Sequence, residues 1–158
     1  MSATAYVVRH ADAGDRTTWK GDDALRPLSD KGRWQAGVLP GLLGIQTSIV
    51  VLSSPAVRCV ETVEPLAAAV GSAVVTESAA AEGMGAAGLR RLITESAADL
   101  VVCSHGDVIG ALIWELSERG LVGADARFQK ASTWRLRCGD GEIIEAVYIP
   151  PPKRESRQ

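Results

Sequence analysis

The chain has 158 residues, 46% of them hydrophobic and 23% charged, and a formal net charge of −2. That length and balance suit one soluble globular domain with a sizeable core, and they give no electrostatic reason to expect nucleic acid or a membrane surface as a partner. Three widely spaced cysteines, Cys59, Cys103 and Cys138, form no CxxC pair, so a disulfide framework and a zinc-thiolate site are both excluded as readings. They read as reduced, inert thiols of a cytoplasmic protein.

The first expected strand spans residues 4–9 and ends in Arg9-His10. Its β-branched, apolar run is that of a strand buried on both faces in a parallel sheet. Residues 11–28 follow as a long polar loop rich in Gly, Asp, Thr and Pro, and loops of that length in compact domains are more often functional than idle. Ser29 is the expected N-cap of a helix that Pro40 should kink or end. Residues 36–57 carry no charge, but two prolines and three glycines interrupt them, so they read as helix end, loop, strand and turn rather than a membrane span. Within them, residues 48–53 form the second strand.

Ser54-Pro55 has the hydroxyl-then-proline pattern of a helix start, which would put Arg58 in the first turn of a helix running to about Val70. A short strand over 73–76, an irregular stretch over 77–88 and a helix over 89–97 come next. Residues 100–104 form a further buried strand that ends in Ser104-His105-Gly106, and a helix over 107–118 follows it. Residues 132–137 and 142–149 read as a hairpin around Gly139-Asp140-Gly141. Pro150-Pro151-Pro152 ends the domain, taken as residues 1–150, and 151–158 read as a flexible tail. Trp34 and Trp114 are expected in the core.

The fold class that follows is α/β: a mostly parallel central sheet with helices on both faces. Ligands of such sheets bind beyond the carboxyl ends of the strands. Those ends collect Arg9, His10, Arg58 and His105, and the chain has only these two histidines. Two guanidiniums and two imidazoles make a donor-rich cationic pocket suited to a phosphoryl group. A neutral imidazole can attack phosphorus and pass the phosphoryl group to water, and neighbouring cations would keep it neutral. The chemistry then needs neither a metal nor a cofactor, only an acid for the leaving oxygen. Glu82 is the first candidate and Glu77 the second, both on the irregular stretch.

Arg9-His10-Ala11, Ser53-Ser54-Pro55-Ala56-Val57-Arg58 with Thr62, and Ser104-His105-Gly106 occur in the order of the histidine phosphatase (phosphoglycerate-mutase-like) superfamily, which the chain resembles from about residue 5 to 149. Leu28-Ser29-Asp30-Lys31-Gly32-Arg33-Trp34-Gln35-Ala36 resembles the family's Leu-Thr-x-x-Gly-x-x-Gln-Ala helix start, while Ala11 departs from the usual Arg-His-Gly. The resemblance implies His10 as the phosphorylated nucleophile, and Arg9, Arg58 and His105 as the phosphate pocket. It also implies an acidic group near Glu77–Glu82. Within the family the chain looks most like the short SixA-like phosphohistidine phosphatases and the phosphatase domain of mycobacterial MutT-type nucleotide hydrolases. The short chain leaves room for a minimal cap, hence an open site.

Plainer readings stand beside these. Arg58 could simply pair with Glu61 on a helix face, a contact worth about 0.2–0.5 kcal/mol. Arg26 and Lys20, on the polar loop, are candidates for substrate contact or merely solvated, and Gly106 joins them as a candidate substrate-binding residue. Trp19 could stack on a base or pack on the surface. The expected partner is a phosphorylated substrate: a phosphoprotein, a nucleotide or a small ester. The competing functional class is a binding module that holds phosphate without turning it over.

Overall fold

In the computed structural model, which describes residues 2–46 and 49–154, six strands form one sheet in the order β3-β2-β4-β1-β5-β6. The strands are β1 (Ser2–Arg9), β2 (Val50–Ser53), β3 (Val74–Thr76), β4 (Leu100–Ser104), β5 (Thr133–Gly139) and β6 (Glu142–Ile149). The first four pair in parallel, and β5 and β6 add an antiparallel hairpin at one edge. The helices are α1 (Asp30–Leu43), α2 (Val57–Val70), α3 (Ala86–Thr94) and α4 (Gly106–Glu118). Ser48, expected to open the second strand, and 155–158 of the expected tail lie outside the described residues.

The near-continuous apolar runs of β1, β2 and β4 have a simple physical cause. Successive side chains point to opposite faces, and here both faces are covered. Ala5, Val7, Leu52, Leu100 and Val102 pack under α3 and α4, with Leu89, Ile93, Leu112 and Leu116 among the helical residues they meet. Val8, Val51, Val101 and Cys103 face the other way, against Leu39 of α1 and Val63, Leu66 and Val70 of α2. The hairpin turns through Asp140 and Gly141, both at positive φ, the backbone that a tight two-residue hairpin requires.

Several local expectations are corrected. Helix α1 runs through Pro40 and ends at Gly44, a left-handed cap whose N–H donates to Pro40 O. Buried Ala36 and Leu39 hold the helix in place, so one missing backbone bond does not break it. Helix α2 starts at Val57 rather than at Ser54-Pro55, and its N-cap residue, Ala56, makes no side-chain cap bond. Helix α3 starts three residues earlier than expected, directly after Gly85 at φ +72°. Trp114 lies on the outer face of α4, 68% exposed, while Trp134 is the buried tryptophan, its ring centre 5.1 Å from that of Tyr148 at a tilt of 48° and its Nε1–H donating to Arg127 O. Trp34 is half-buried rather than in the core.

Pro151–Arg154 do not hang free. They line a cleft against α1, with the Arg154 guanidinium 4.7 Å from the centre of the Trp34 ring. Among the described residues no helix is long and apolar enough to cross a membrane.

The start of α1 is locked to the loop after β1. Ser29 caps the helix by accepting from Gly32 N, and Ser29 N donates to Asp12 O. A Cβ on Gly32 would be driven into the Asp12 carbonyl, with the carbonyl carbon at 2.9 Å and Asp12 N at 3.1 Å. Backbone on both sides leaves nothing to yield. Gly32→Ala should therefore destabilise the fold by about 2 kcal/mol or more, read as a lowered denaturant midpoint. A midpoint within error of the parent would show that the helix start shifts freely.

Candidate active site

Strands β1 and β4 pair in register, Arg9 opposite Ser104, so the residues that follow them leave the sheet side by side. His10 N continues the ladder to Ser104 O at 3.1 Å, and the two imidazole centres stand 5.6 Å apart, edge to face. The histidines from distant parts of the chain thus form one site at the carboxyl edge of the sheet. Next to β4, β2 ends in Ser53-Ser54, whose Ser54 N donates to Cys103 O. The Ser54 hydroxyl, read from sequence as a helix cap, accepts from Ala56 N at 3.3 Å and also meets His105 Nε2 at 2.8 Å.

His10 is 6% exposed, and its Nδ1 lies 2.8 Å from the Ala11 carbonyl. A carbonyl only accepts, so Nδ1 carries the proton and Nε2 keeps its lone pair. Ala11 is itself held, because its N–H donates to Thr62 Oγ1 on α2 at 2.9 Å. Burial is the main reason the His10 pKa falls from 6.5 to about 3; the Ala11 bond opposes the fall, and the charges of Arg58, His105 and Arg9 add to it. Desolvation thus outweighs the neighbouring cations expected from sequence to keep His10 neutral.

Arg9 and Arg58 are both spent on fixed contacts and both keep an unpartnered donor. Arg9 Nη1 donates to Phe128 O at 3.0 Å, and Arg58 Nη1 donates to Asp23 O at 2.8 Å. The Nε atoms of both guanidiniums are buried without a partner, among the described residues. Arg58, 1% exposed, also points Nη2 at Asp23 Oδ2 (3.2 Å), Glu82 Oε2 (3.3 Å) and His105 Nδ1 (3.4 Å). It does not pair with Glu61, which accepts from Leu28 N.

Glu82 reaches the site, 41% exposed, and accepts from Arg16 Nη2 at 2.6 Å as well as from Arg58. The irregular stretch that carries it is tied down on both sides: Glu77 N donates to Ser53 O, Ser104 Oγ to Ala80 O, and Gly83 N to Asp107 Oδ2. Glu77 contributes only its backbone N–H to that anchoring, and it is not among the residues lining the cleft over His10.

That cleft, about 480 Å³, is lined by Arg9, His10, Arg16, Glu82, His105, Gly106, Asp107, Gly110 and Phe128. Arg16, Asp107 and Asp23 were not singled out from sequence. They come from a loop and from a helix start whose charges have no periodic signature. The Glu82 hydrogen bond and then its charge raise the Arg16 pKa, whereas burial lowers that of Arg9 against the opposing charge of Asp107.

The two candidate substrate contacts from the loop fare differently. Arg26 is neither solvated nor in the cleft: it is 5% exposed, with Nε on Asp23 Oδ1 at 3.0 Å and Nη1 on Ala13 O at 2.7 Å. It shapes the loop that delivers Asp23. Lys20 stays on the exposed part of the loop, outside the cleft, and Trp19 donates its Nε1–H to Asp22 O nearby. Gly106 does sit in the site, where it makes room for Arg9. A Cβ there would lie 2.8 Å from Arg9 Cζ. Cys59, expected to be inert, has its Sγ 3.6 Å from His105 Nε2.

The sequence model of the histidine phosphatase superfamily (branch 1) matches residues 5–87, more than half of the chain. The chain belongs to the histidine phosphatase superfamily. A curated relative, the 8-oxo-(d)GTP phosphatase of Mycolicibacterium smegmatis, is 38% identical over 156 residues, covering 94% of this chain and 48% of the relative. The chain thus spans about half the length of that protein. Among solved structures, the SixA protein of Agrobacterium tumefaciens superposes with a TM-score of 0.75 at 20% identity, covering 92% of this chain and 97% of that one. A mycobacterial glucosyl-3-phosphoglycerate phosphatase superposes at 0.66 with 18% identity, covering 94% and 97%. Both share the α/β fold described above.

Two outcomes follow from this histidine phosphatase site. An NMR titration of the His10 imidazole should show it neutral down to about pH 4, in keeping with a pKa near 3. The unfolded imidazole takes up its proton near 6.5, so this residue's contribution to stability declines as pH falls from there toward 3. A His10 midpoint near 6.5 would refute the burial argument. Gly106→Ala should fold, because the flexible end of Arg9 can move aside, but it should lose about 10-fold or more in kcat/KM as that guanidinium leaves its position. Unaltered turnover would mean that the Arg9 position is not critical.

Proposed function

We propose that this member of the family is a phosphohydrolase in which His10 Nε2 attacks phosphorus. The P–O or P–N bond to the leaving group breaks and an Nε2–P bond forms. Water then attacks the phosphoryl group and the Nε2–P bond breaks, returning the electron pair to Nε2. The supporting observation is the tautomer: the Ala11 carbonyl holds the His10 proton on Nδ1, which leaves Nε2 with its lone pair at neutral pH.

The remaining groups suit phosphoryl charge. Arg9, Arg58 and His105 surround His10, and donors fixed in advance lower the cost of stabilising the equatorial oxygens. An oxygen that reaches Arg58 competes with Asp23 and Glu82 for its Nη2. Glu82, bound by two guanidiniums, serves in this reading as the base that takes a proton from the attacking water. As an acid in the first step it must first take up a proton. Leaving groups that depart without strong acid help, a phosphate or an imidazole, fit this arrangement best. The chemistry draws its positive charge from guanidiniums and is proposed to proceed without a metal.

For the substrate, the relative named for 8-oxo-(d)GTP favours a nucleotide, and the SixA-type fold keeps phosphohistidine in view. Phosphate release in EDTA should be abolished by His10→Ala, and rapid acid-free quenching of the parent with a ³²P-labelled substrate should trap label on His10. Hydrolysis at the parent rate by His10→Ala, or label elsewhere, would sink this mechanism.

A further inference from the structure

Beside the His10 cleft lies a second one of about 880 Å³, and Arg9 lines both. Its wall carries five cations, Arg9, Lys31, Lys130, Lys153 and Arg154, against two carboxylates, Asp12 and Asp30, in a chain of net charge −2. The carboxylates are already engaged. Asp12 is bonded to the Ser29 hydroxyl, which holds its pKa below the usual carboxylate range, and Asp30 pairs with Arg33 at 3.3 Å on the open surface. The cations are less occupied: Lys130 approaches Asp12 only at 3.9 Å, and among the described residues Lys31 and Lys153 have no ion pair. A local positive field of this kind attracts anions and focuses them toward the shared arginine.

The cleft also has a flat wall. Trp34, half-buried on α1, has one face of its indole covered by the Arg154 guanidinium. A guanidinium and an aromatic base use the same π-surface, so a base can replace Arg154 there at little cost. The volume falls in the range of small-molecule sites rather than flat protein-docking surfaces.

We propose that this cleft receives the leaving portion of the substrate, a small molecule that carries a second anionic group and a planar ring, as nucleotides do. The proposal rests on the phosphohydrolase reading. The scissile phosphoryl group lies at His10, the second anion lies against Lys31 and Lys130, and the ring stacks on Trp34. When the second group is itself a phosphate, the bond broken joins the outer phosphorus to the bridging oxygen. That oxygen leaves on the inner phosphate, an anion stable enough to need little help from Glu82. This places specificity on α1 and the segment before β5 rather than on the loop residues Lys20, Arg26 and Trp19.

The experiment compares phosphate release from guanosine diphosphate, which has both features, with release from p-nitrophenyl phosphate, which lacks the second anion. The full chain is set against Lys31→Ala/Lys130→Ala and against Trp34→Leu. The ratio of the two kcat/KM values should fall about 10-fold or more in the lysine variant, the size expected for losing charge-assisted contacts, and about 5-fold or more in the tryptophan variant. An unchanged ratio in the lysine variant overturns the proposal. So does a larger loss on a phosphohistidine protein than on guanosine diphosphate, which would give the cleft to an acidic protein surface. Should the parent hydrolyse none of these, the phosphohydrolase reading fails. Calorimetry with guanosine diphosphate then decides the cleft by itself: binding to the parent that disappears in the lysine variant sustains it, and binding that persists, or none to the parent, overturns it.

Discussion

The parallel, in-register pairing of β1 with β4 is the constraint on which the site depends. It sets Arg9 opposite Ser104 and so delivers His10 and His105, 95 positions apart in the chain, to one point on the sheet edge. A slip of one residue would turn Val7 and Val8 to the wrong cores and carry the histidines to opposite faces. Burial on both faces therefore guards the register of the two histidines. The same hydrophobic energy that stabilises the sheet also desolvates His10, and desolvation keeps its imidazole neutral.

Around that pair the protein manages charge by close pairing. Three arginines, Arg16, Arg26 and Arg58, share two carboxylates, Asp23 and Glu82. Arg58 is fully buried, so its charge needs such partners. The network fixes the guanidinium geometry, and on the cleft wall Arg9 and Arg16 stand against Glu82 and Asp107. Asp23 sits at the centre: burial pushes its pKa up, but the Arg26 bond and the charges of Arg58, Arg26 and Arg16 outweigh it and leave the pKa lowered. The site is thus electrostatically preorganised, while Glu82 at its rim stays partly exposed and able to exchange partners.

Helix starts and loop anchors do a second kind of work. The Ser54 hydroxyl is bonded to His105 Nε2, Thr62 holds Ala11, Ser104 holds Ala80 and Asp107 holds Gly83. Three are short polar side chains at the end of a strand or the start of a helix, where backbone donors and acceptors lack regular partners, and the fourth, Thr62, sits in the second turn of α2. These bonds pin the segments that carry His10 and Glu82, which is why a stretch with little regular structure still places a carboxylate accurately.

Strand order aside, much of the fold could be read from the chain. The buried strands show as apolar runs, and His10, His105, Arg9 and Arg58 show as polar residues placed abruptly at their ends. That reading succeeds because burial on both faces and a change of residue type at a strand end are local properties. Other features depend on what lies across space. Pro40 and Ser54 each carry a strong local signal, yet packing against α2 overrides the first and His105 competes for the second. Trp114 and Trp134 have the same chemistry, and only the face each meets decides which is buried. Arg26 and Arg16 lie on one loop; one ends inside the protein against Asp23 of the same loop and the other on Glu82, because the tethered segment arrives from elsewhere. Sequence by itself determined the sheet's buried strands and the chemical character of the site. Tertiary structure alone decided which charges meet, since ion pairs and clefts join residues that no periodicity links.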